Sequence, residues 1–171
     1  MKRKNQKNLD LKTAVINYGA DILDSREYKK SDNFIQHGDT TTHDHMISAA
    51  LVCLKIARAL HLHCDEQSLV RGALLHDYFL YDWHAPRATR PPRHPTRHGT
   101  YALKNAAEIF TINPTEAEML TEHMFPVTLK LPRHKETWIL TIADKACSFK
   151  EAFAKPIYYK IVKELNDESN H

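Results

Sequence analysis

A histidine and an aspartate, His76 and Asp77, directly follow Leu74 and Leu75 in the segment GALLHDYFLYDWH. The residues before them read as the end of an apolar helix, where an unpaired carboxylate is costly to bury. Either the pair faces water or a partner compensates its charge. Imidazole and carboxylate groups are common ligands of divalent metal ions, so a shared cation is one such partner.

Further histidines and aspartates lie inside or at the edge of apolar helical faces. Taken alone, each is typical of a satisfied histidine or of a salt-bridge partner. Taken together they are too many to remain unpaired in a compact bundle, and metal sites in bundle cores are built from such groups on facing helices. The five inward-facing groups are His45, His76, Asp77, His123 and Asp144.

Length and composition indicate one soluble globular domain of 171 residues, with 42% hydrophobic and 26% charged residues. A net charge of +3 does not favour nucleic acid. The basic start MKRKNQKNLDLK lacks the apolar run of a signal peptide and reads as a short solvated tail, and no stretch is long enough to span a bilayer. Three widely spaced cysteines without a CxxC pair indicate a cytoplasmic protein and argue against a thiolate zinc site.

The chain reads as helical almost throughout, because it has only four glycines and almost no alternating β-branched runs. The threonines of HGDTTT, Asp65 and Asn113 are expected to cap helices, with Pro114 at the first helical position. The long segment HAPRATRPPRHPTRHG reads as a polar loop. Helices are expected over residues 11–23, 25–36, 43–60, 65–77, 99–110, 113–125, 135–153 and 156–165.

Three segments resemble the HD-domain superfamily of metal-dependent phosphohydrolases, which is named for its His-Asp doublet. HMISAALVCLKIARAL is similar to the helix with the family's first histidine, here His45. EQSLVRGALLHDYF is similar to the doublet helix with His76 and Asp77, and TIADKACS to the segment with the last aspartate, Asp144. All three occur in the family's order.

The resemblance implies an all-α fold, a single-domain HD-type helical bundle. Its core covers residues 42–153. Residues 1–41 are expected to be an N-terminal helical extension of the same domain, and residues 154–171 to form a C-terminal helix.

The resemblance also implies a set of six metal ligands, because some members of the superfamily hold a second ion with two further histidines. RHGTYALKNA offers His98 and LTEHMFP offers His123 for that second ion, with Asp77 bridging both ions. The implied ligands of the first ion are His45, His76, Asp77 and Asp144.

Other histidines compete with these assignments. His43 is a rival of His45, but its position before ISAALVCLKIA favours His45. His94 is a rival of His98, which stands where a helix is expected to begin. The histidines without a match are interpreted as surface or substrate-facing residues: His37, His84 and His134.

The function implied by the resemblance is the hydrolysis of a phosphate ester or anhydride through a metal-activated water. The implied substrate is a nucleotide or another small phosphorylated molecule, and symmetrical dinucleoside tetraphosphate hydrolases share this ligand order. Asp77 and Lys145 are the candidate catalytic residues, and Arg93 and Arg97 are the candidate phosphate-binding residues. Leu80 stands where many members have a catalytic lysine, so that role is not transferred.

Two divalent ions are expected as cofactors, from among iron, manganese, nickel, cobalt and zinc, with iron or manganese favoured. Two other functions use the same ligands. One is an HD-type mixed-valence di-iron oxygenase that acts on a small organic substrate with O₂. The other is a non-catalytic module that binds a nucleotide.

Overall fold

The computed structural model describes residues 2–168, with side chains from residue 6 to residue 167. Met1 and residues 169–171, the end of the expected C-terminal helix, lie outside the described residues. Over residues 2–168 the chain forms an all-helical domain with a 3₁₀ helix at Lys30–Asn33 and a small β-hairpin, β1 (Ile35–His37) and β2 (Thr40–Thr41). The α-helices are α1 (Lys2–Leu23), α2 (Arg26–Lys29), α3 (Thr42–Ala59), α4 (Glu66–Leu75), α5 (His94–Ala107), α6 (Pro114–Glu122), α7 (Lys135–Glu151) and α8 (Tyr159–Glu168).

The expected helix caps are confirmed. The Thr41 hydroxyl accepts the Asp44 backbone N–H at the start of α3, and the Asp65 carboxylate accepts two backbone N–H groups of α4. Asn113 and Glu116 bond reciprocally at the start of α6, which forms a capping box. These bonds fix the first turns of three helices that the site uses.

Two helices begin earlier than predicted. Helix α1 begins at Lys2, so the segment read as a solvated tail is helical, with most side chains from residue 6 to residue 10 exposed. Helix α5 begins at His94, since Pro95 lies in its first turn, where a missing N–H costs no hydrogen bond. The prolines had been interpreted as loop residues. The earlier start places His98 inside α5 and not before it.

The helix predicted over residues 25–36 is wrong in its second half. After α2 and the 3₁₀ helix the chain forms β1, which pairs antiparallel with β2. Gly38 makes the turn with a φ of 55°, and a Cβ there would lie 2.8 Å from the carbonyl oxygen of Glu151. The hairpin therefore packs tightly against the end of α7 and turns Gln36 inward, between the more exposed Ile35 and His37.

Helix α3 is the centre of the fold, packed between α4 and α7. It is buried on almost every side over its first thirteen residues, as expected of a helix with apolar residues all round. Because α3 is enclosed, its His45 lies in the interior. No helix of residues 2–168 is both long enough and apolar enough to cross a membrane.

A close approach between α5 and α6 occurs at Gly99. A Cβ on Gly99 would lie 2.1 Å from the carbonyl oxygen of Leu120, so only glycine allows the two backbones to come this near. Gly99 directly follows His98, and Leu120 lies three residues before His123. Because Gly99 has no side chain, α5 and α6 can approach closely, which brings His98 and His123 together.

Candidate metal centre

Each of the six residues expected to bind metal comes from an end or an inner face of a helix. His45 lies in the second turn of α3, His98 in the second turn of α5 and Asp144 in the middle of α7. His76 and His123 are the C-caps of α4 and α6, and Asp77 follows His76. All six are buried, with no more than 6% of their surface exposed. The structure brings all six together.

Asp77 lies between two pairs of histidines. Its Oδ2 is 3.8 Å from His45 Nε2 and 3.6 Å from His76 Nε2. Its Oδ1 is 3.2 Å from His98 Nε2 and 3.6 Å from His123 Nε2. Each carboxylate oxygen therefore faces its own pair of imidazoles, which is the arrangement that a bridging carboxylate needs.

Asp144 completes the first of these groups. Its Oδ1 lies 3.1 Å from His45 Nε2 and 3.8 Å from His76 Nε2. One group thus contains two imidazoles and two carboxylates. The other contains two imidazoles and the second oxygen of Asp77.

The four histidines direct the same ring nitrogen toward the centre. In every case Nδ1 lies beside an oxygen that can only accept a hydrogen bond, so Nδ1 carries the proton and Nε2 carries a lone pair in the neutral ring. Such outer hydrogen bonds orient the histidine ligands of metal ions. The acceptors are Glu151 Oε2 for His45 (2.7 Å), the Ala73 carbonyl for His76 (2.8 Å), the His94 carbonyl for His98 (2.9 Å) and the Leu120 carbonyl for His123 (3.0 Å).

The protein alone leaves inner atoms of this centre without suitable partners. His98 Nε2 and His123 Nε2 lie 2.9 Å apart, which places two lone pairs opposite each other in the neutral rings. His76 Nε2 and Asp77 Oδ1 are buried and have no hydrogen-bond partner. Positive charge between these atoms would satisfy all of them, so the residues present fit metal ions. Nitrogen and oxygen donors suit iron, manganese, cobalt, nickel and zinc better than soft ions.

The charges of the centre are strongly coupled. Burial alone raises the pKa of Asp77, but the charges of His76 and His98 outweigh burial and hold its pKa well below the usual range. Burial likewise raises the pKa of Asp144, but the hydrogen bond with His45 and the charge of the nearby His76 reverse that effect. Both carboxylates therefore stay ionised and available as ligands.

A carboxylate raises the pKa of one histidine in each pair. Burial lowers the pKa of His45, but its bonds to Asp144 and Glu151 raise it well above the ordinary value. His123 has no such carboxylate bond, and burial together with the charges of His76 and His98 lowers its pKa to about 3. In the pair that contains His123, burial likewise lowers the pKa of His98, but the charge of Asp77 raises it above the ordinary value. Without an ion, each pair therefore contains one histidine whose protonated form a carboxylate stabilises.

Two supporting residues were not found from the sequence. Gln36 on β1 donates a short hydrogen bond from Nε2 to Asp77 Oδ2 and is itself held by the Thr42 hydroxyl. Glu151 on α7 accepts from His45 Nδ1. Glu151 lies seven residues after Asp144, which puts both on one helix face, and this spacing was a usable signal. Gln36 gave no signal, since its segment was interpreted as a helix.

The remaining candidates lie outside the buried cluster. The exposed Lys145 has its Nζ 3.5 Å from the carbonyl oxygen of Thr141 on its own helix. Arg93 precedes α5 in a left-handed conformation, and both Arg93 and Arg97 are exposed. The catalytic role of Lys145 and the phosphate-binding roles of Arg93 and Arg97 stay predictions.

The two rival histidines occupy different places. The ring of His43 lies 5.0 Å from that of Tyr28. Its ligand atoms come within 4.8 Å of those of Asp32 and Asp44, but Asp32 is exposed and Asp44 accepts a bond from Asn166. His94 is nearer to the centre, with its ring stacked on that of His98 at 4.9 Å.

The fold and the site together define a class of protein, an all-helical domain with a buried histidine–aspartate cluster that could hold metal ions. No protein-family model, curated protein or solved structure matches this chain. The geometry of the cluster is therefore the basis for assigning a function to this chain.

Proposed function

We propose that this protein is a metal-dependent phosphohydrolase of the HD-domain type, with two divalent ions in the cluster. The first ion is held by His45, His76, Asp77 and Asp144, and the second by His98, His123 and Asp77. The observation that carries the proposal is the position of Asp77, whose two oxygens face separate pairs of imidazole nitrogens.

The order of the ligands along the chain supports the assignment to this family. The residues occur as His, His-Asp, His, His and Asp on successive helices, in the order implied by the resemblance of the three segments. The lone pairs at His98 and His123 and the unpartnered oxygen of Asp77 support a second ion.

Two bound divalent ions supply positive charge to phosphoryl oxygens and acidify a water molecule for attack. The chain's own residues position these ligands. Glu151 and the backbone carbonyls lock the imidazoles by their Nδ1 protons, and Gln36 fixes the rotation of the Asp77 carboxylate. A rigid set of ligands of this kind keeps the site ready for an anionic substrate.

A phosphorylated substrate fits the charge of the loop between α4 and α5. Arg87, Arg90, Arg93 and Arg97 lie in or directly after this loop. Arg90 is half-buried, and its positive charge influences the ring of His94 beside the cluster. Burial, the charge of His98 and that of Arg90 together lower the pKa of His94 to about 4.

The test is a paired measurement of phosphate release and O₂ uptake. Protein purified anaerobically and loaded with Fe²⁺ or Mn²⁺ is assayed on a panel of nucleoside mono-, di- and polyphosphates and base-free phosphate esters. We expect phosphate release that stops when a chelator is added, with no O₂ uptake. Substrate-dependent O₂ uptake without phosphate release would favour the oxygenase. Full metal occupancy without turnover on the whole panel would favour a binding module.

Replacing His98 or His123 with alanine is expected to lower the metal content from two ions to about one per chain while the fold persists, since the first group keeps its ligands. Elemental analysis measures the stoichiometry, and circular dichroism checks the fold. The matched control is His63→Ala, an exposed loop histidine. Unchanged stoichiometry in both variants would show that these two histidines do not hold an ion.

A further inference from the structure

The outer side of helix α7 exposes a row of large apolar side chains. Ile142 and Phe149 lie seven residues apart, so they point within about 20° of each other around the helix axis, and Trp138 lies about one turn before Ile142. Phe153 follows the end of the helix and continues the row, with its ring 5.6 Å from that of Phe149. The exposed fractions are 57% for Ile142, 74% for Phe149 and 81% for Phe153. These side chains therefore face solvent and not the core.

The loop between α6 and α7 extends this row. Trp138 donates its Nε1 hydrogen to the carbonyl of Pro132 at 3.2 Å, and its ring lies 5.3 Å from that of Phe125. The loop is thereby held at the start of α7, and its Leu129 and Leu131 are both exposed. Together these exposed side chains form the apolar face, which consists of Leu129, Leu131, Trp138, Ile142, Phe149 and Phe153.

The apolar face is large for a surface that meets only water. An aromatic side chain presents about 150–250 Å² of area, so Phe149 and Phe153 alone expose roughly 300 Å². The largest apolar patch of a typical monomeric protein is about 300–600 Å², and patches of that size are often binding sites. With its other four side chains included, the apolar face is at least as large as such patches. It therefore has the size of a contact surface.

The exposed charges around the apolar face have one sign. Residues 124–163 contain three acidic side chains, Glu136, Asp144 and Glu151, and all three are buried. Every exposed charged residue of this segment is a lysine or an arginine. On α7, Lys145 and Lys150 lie on opposite sides of the apolar face, about 60° and about 80° around the axis from its middle. The face is therefore apolar in its middle and basic along its edges.

We propose that the apolar face binds the surface of a membrane that contains anionic phospholipids. Helix α7 then lies in the plane of the interface, and its apolar side chains enter the boundary between the head groups and the acyl chains. Lys145 and Lys150 extend their apolar stems beside this row and place their ammonium groups at the lipid phosphates. The contact is with the surface of the bilayer and needs no spanning helix.

Charge complementarity favours this partner over two others. A second copy of the chain, related by a two-fold axis, would bring the basic edges of both copies together, and residues 124–163 offer no exposed acidic side chain to pair with them. A nucleic acid would pair with the lysines, but its phosphates would leave Ile142 and the two leucines without an apolar partner. An anionic lipid surface supplies both phosphates for the edges and acyl chains for the middle.

The metal cluster lies on the other side of α7. Asp144 and Glu151 are buried and lie about 160–180° around the helix axis from Ile142. A membrane bound to the apolar face therefore leaves the metal ligands uncovered. The inference does not depend on the proposed hydrolysis, and its tests measure binding alone.

Vesicle sedimentation tests the proposal on the metal-loaded full chain, after free metal has been removed. Sucrose-loaded vesicles of equal parts phosphatidylglycerol and phosphatidylcholine are compared with vesicles of phosphatidylcholine alone. We expect the protein to sediment with the anionic vesicles and to bind the neutral ones at least tenfold more weakly, since each lysine near an anionic surface strengthens binding about fivefold. A protein that stays in solution with both kinds of vesicle would overturn the proposal.

Two variants measure the apolar and the basic contributions. Phe149→Ser is expected to weaken binding to anionic vesicles by about tenfold or more, and Lys150→Glu by about five- to thirtyfold. The matched controls are Ile109→Ser and Lys104→Glu, which change exposed residues on or just after α5 and should bind as the unmodified chain does. Circular dichroism checks that each variant is folded. Binding of Phe149→Ser as tight as that of Ile109→Ser would contradict the role of the apolar face.

Quenching by brominated lipids shows whether the apolar face enters the bilayer. The chain has two tryptophans, so the Trp83→Phe variant leaves Trp138 as the only reporter. Phosphatidylglycerol that carries bromine in the upper part of its acyl chains should quench the emission of Trp138, and the unbrominated lipid should not. Binding to anionic vesicles without quenching would show adsorption by charge alone and would overturn the proposed insertion.

Two other results would assign the apolar face to a different partner. A dimer in analytical ultracentrifugation that Phe149→Ser dissociates would show that a second copy covers the face. Saturable binding of a mixed-sequence DNA oligonucleotide, lost in Lys150→Glu and in Phe149→Ser alike, would show that the face binds nucleic acid. Either result would overturn the membrane proposal.

Discussion

Replacing Asp77 with alanine is expected to remove both metal ions and to lower phosphate release by ~10³-fold or more. The metal ions contribute several kcal/mol of charge stabilisation to such reactions, and every 1.4 kcal/mol corresponds to a tenfold change in rate. Elemental analysis and the phosphate-release assay measure the two effects. No other residue of the cluster has one oxygen facing each pair of histidines, so no other single change should remove both ions.

The physical reason is that Asp77 contributes to both groups through different atoms. Loss of Oδ1 leaves His98 and His123 with no carboxylate in their group, and two neutral imidazoles bind a divalent ion weakly. Loss of Oδ2 leaves the other group with Asp144 as its remaining carboxylate.

The matched control is Asp24→Ala, which removes an exposed aspartate at the end of α1. This variant should keep both ions and full activity. A full complement of ions in Asp77→Ala would contradict the bridging role, and a loss of helical circular dichroism would identify a folding defect. In that case Asp77→Asn, which keeps the size of the side chain, repeats the measurement.

The inward positions of five of the six cluster residues could be predicted because their helices show clear periodicity. His45 stands in a segment whose apolar residues recur at three- and four-residue steps, so its place on an inner face follows from the helix alone. His98 needed the family resemblance, since from the residues alone it could not be separated from His94. In the structure His94 and His98 share one face of α5, with their rings stacked at 4.9 Å. His98 is the one of the two whose Nε2 lies near Asp77, at 3.2 Å from Oδ1.

The parts that could not be predicted depend on tertiary structure. Gln36 reaches Asp77 across 41 residues of sequence, through a hairpin whose turn is set by Gly38. Short strands are weakly encoded, because their stability comes from packing and not from local preference. The approach of α5 to α6 likewise depends on Gly99, which as a lone glycine in a helix is typically unfavourable.

The group of aromatic rings packed around Trp83 could not be predicted from the sequence either. Its rings come from β1, from the loop after α4 and from α5, and neither composition nor spacing showed that they stack. His37 and His84 were interpreted only as surface or substrate-facing residues. Loops that line a site are positioned by the helices around them, so their contacts emerge only with the fold.

Removal of metal is expected to lower the thermal unfolding midpoint by about 5–10 °C. An ion at a hundred times its dissociation constant stabilises the folded state by about 2.7 kcal/mol, and 1 kcal/mol shifts the midpoint of a domain of this size by about 2–4 °C. The protein without ions also retains the opposed Nε2 atoms of His98 and His123 and the unpartnered Oδ1 of Asp77. Differential scanning calorimetry before and after dialysis against a chelator measures the shift.

The His98→Ala variant distinguishes an effect at the cluster from a general effect of the chelator. It lacks one of the two opposed nitrogens and should bind a single ion, so its midpoint should fall less on chelation than that of the unmodified chain. The His63→Ala variant should show the full shift. Superimposable melting curves with and without chelator, for a protein shown by elemental analysis to have lost its metal, would mean that the buried histidines and aspartates satisfy one another without a cation.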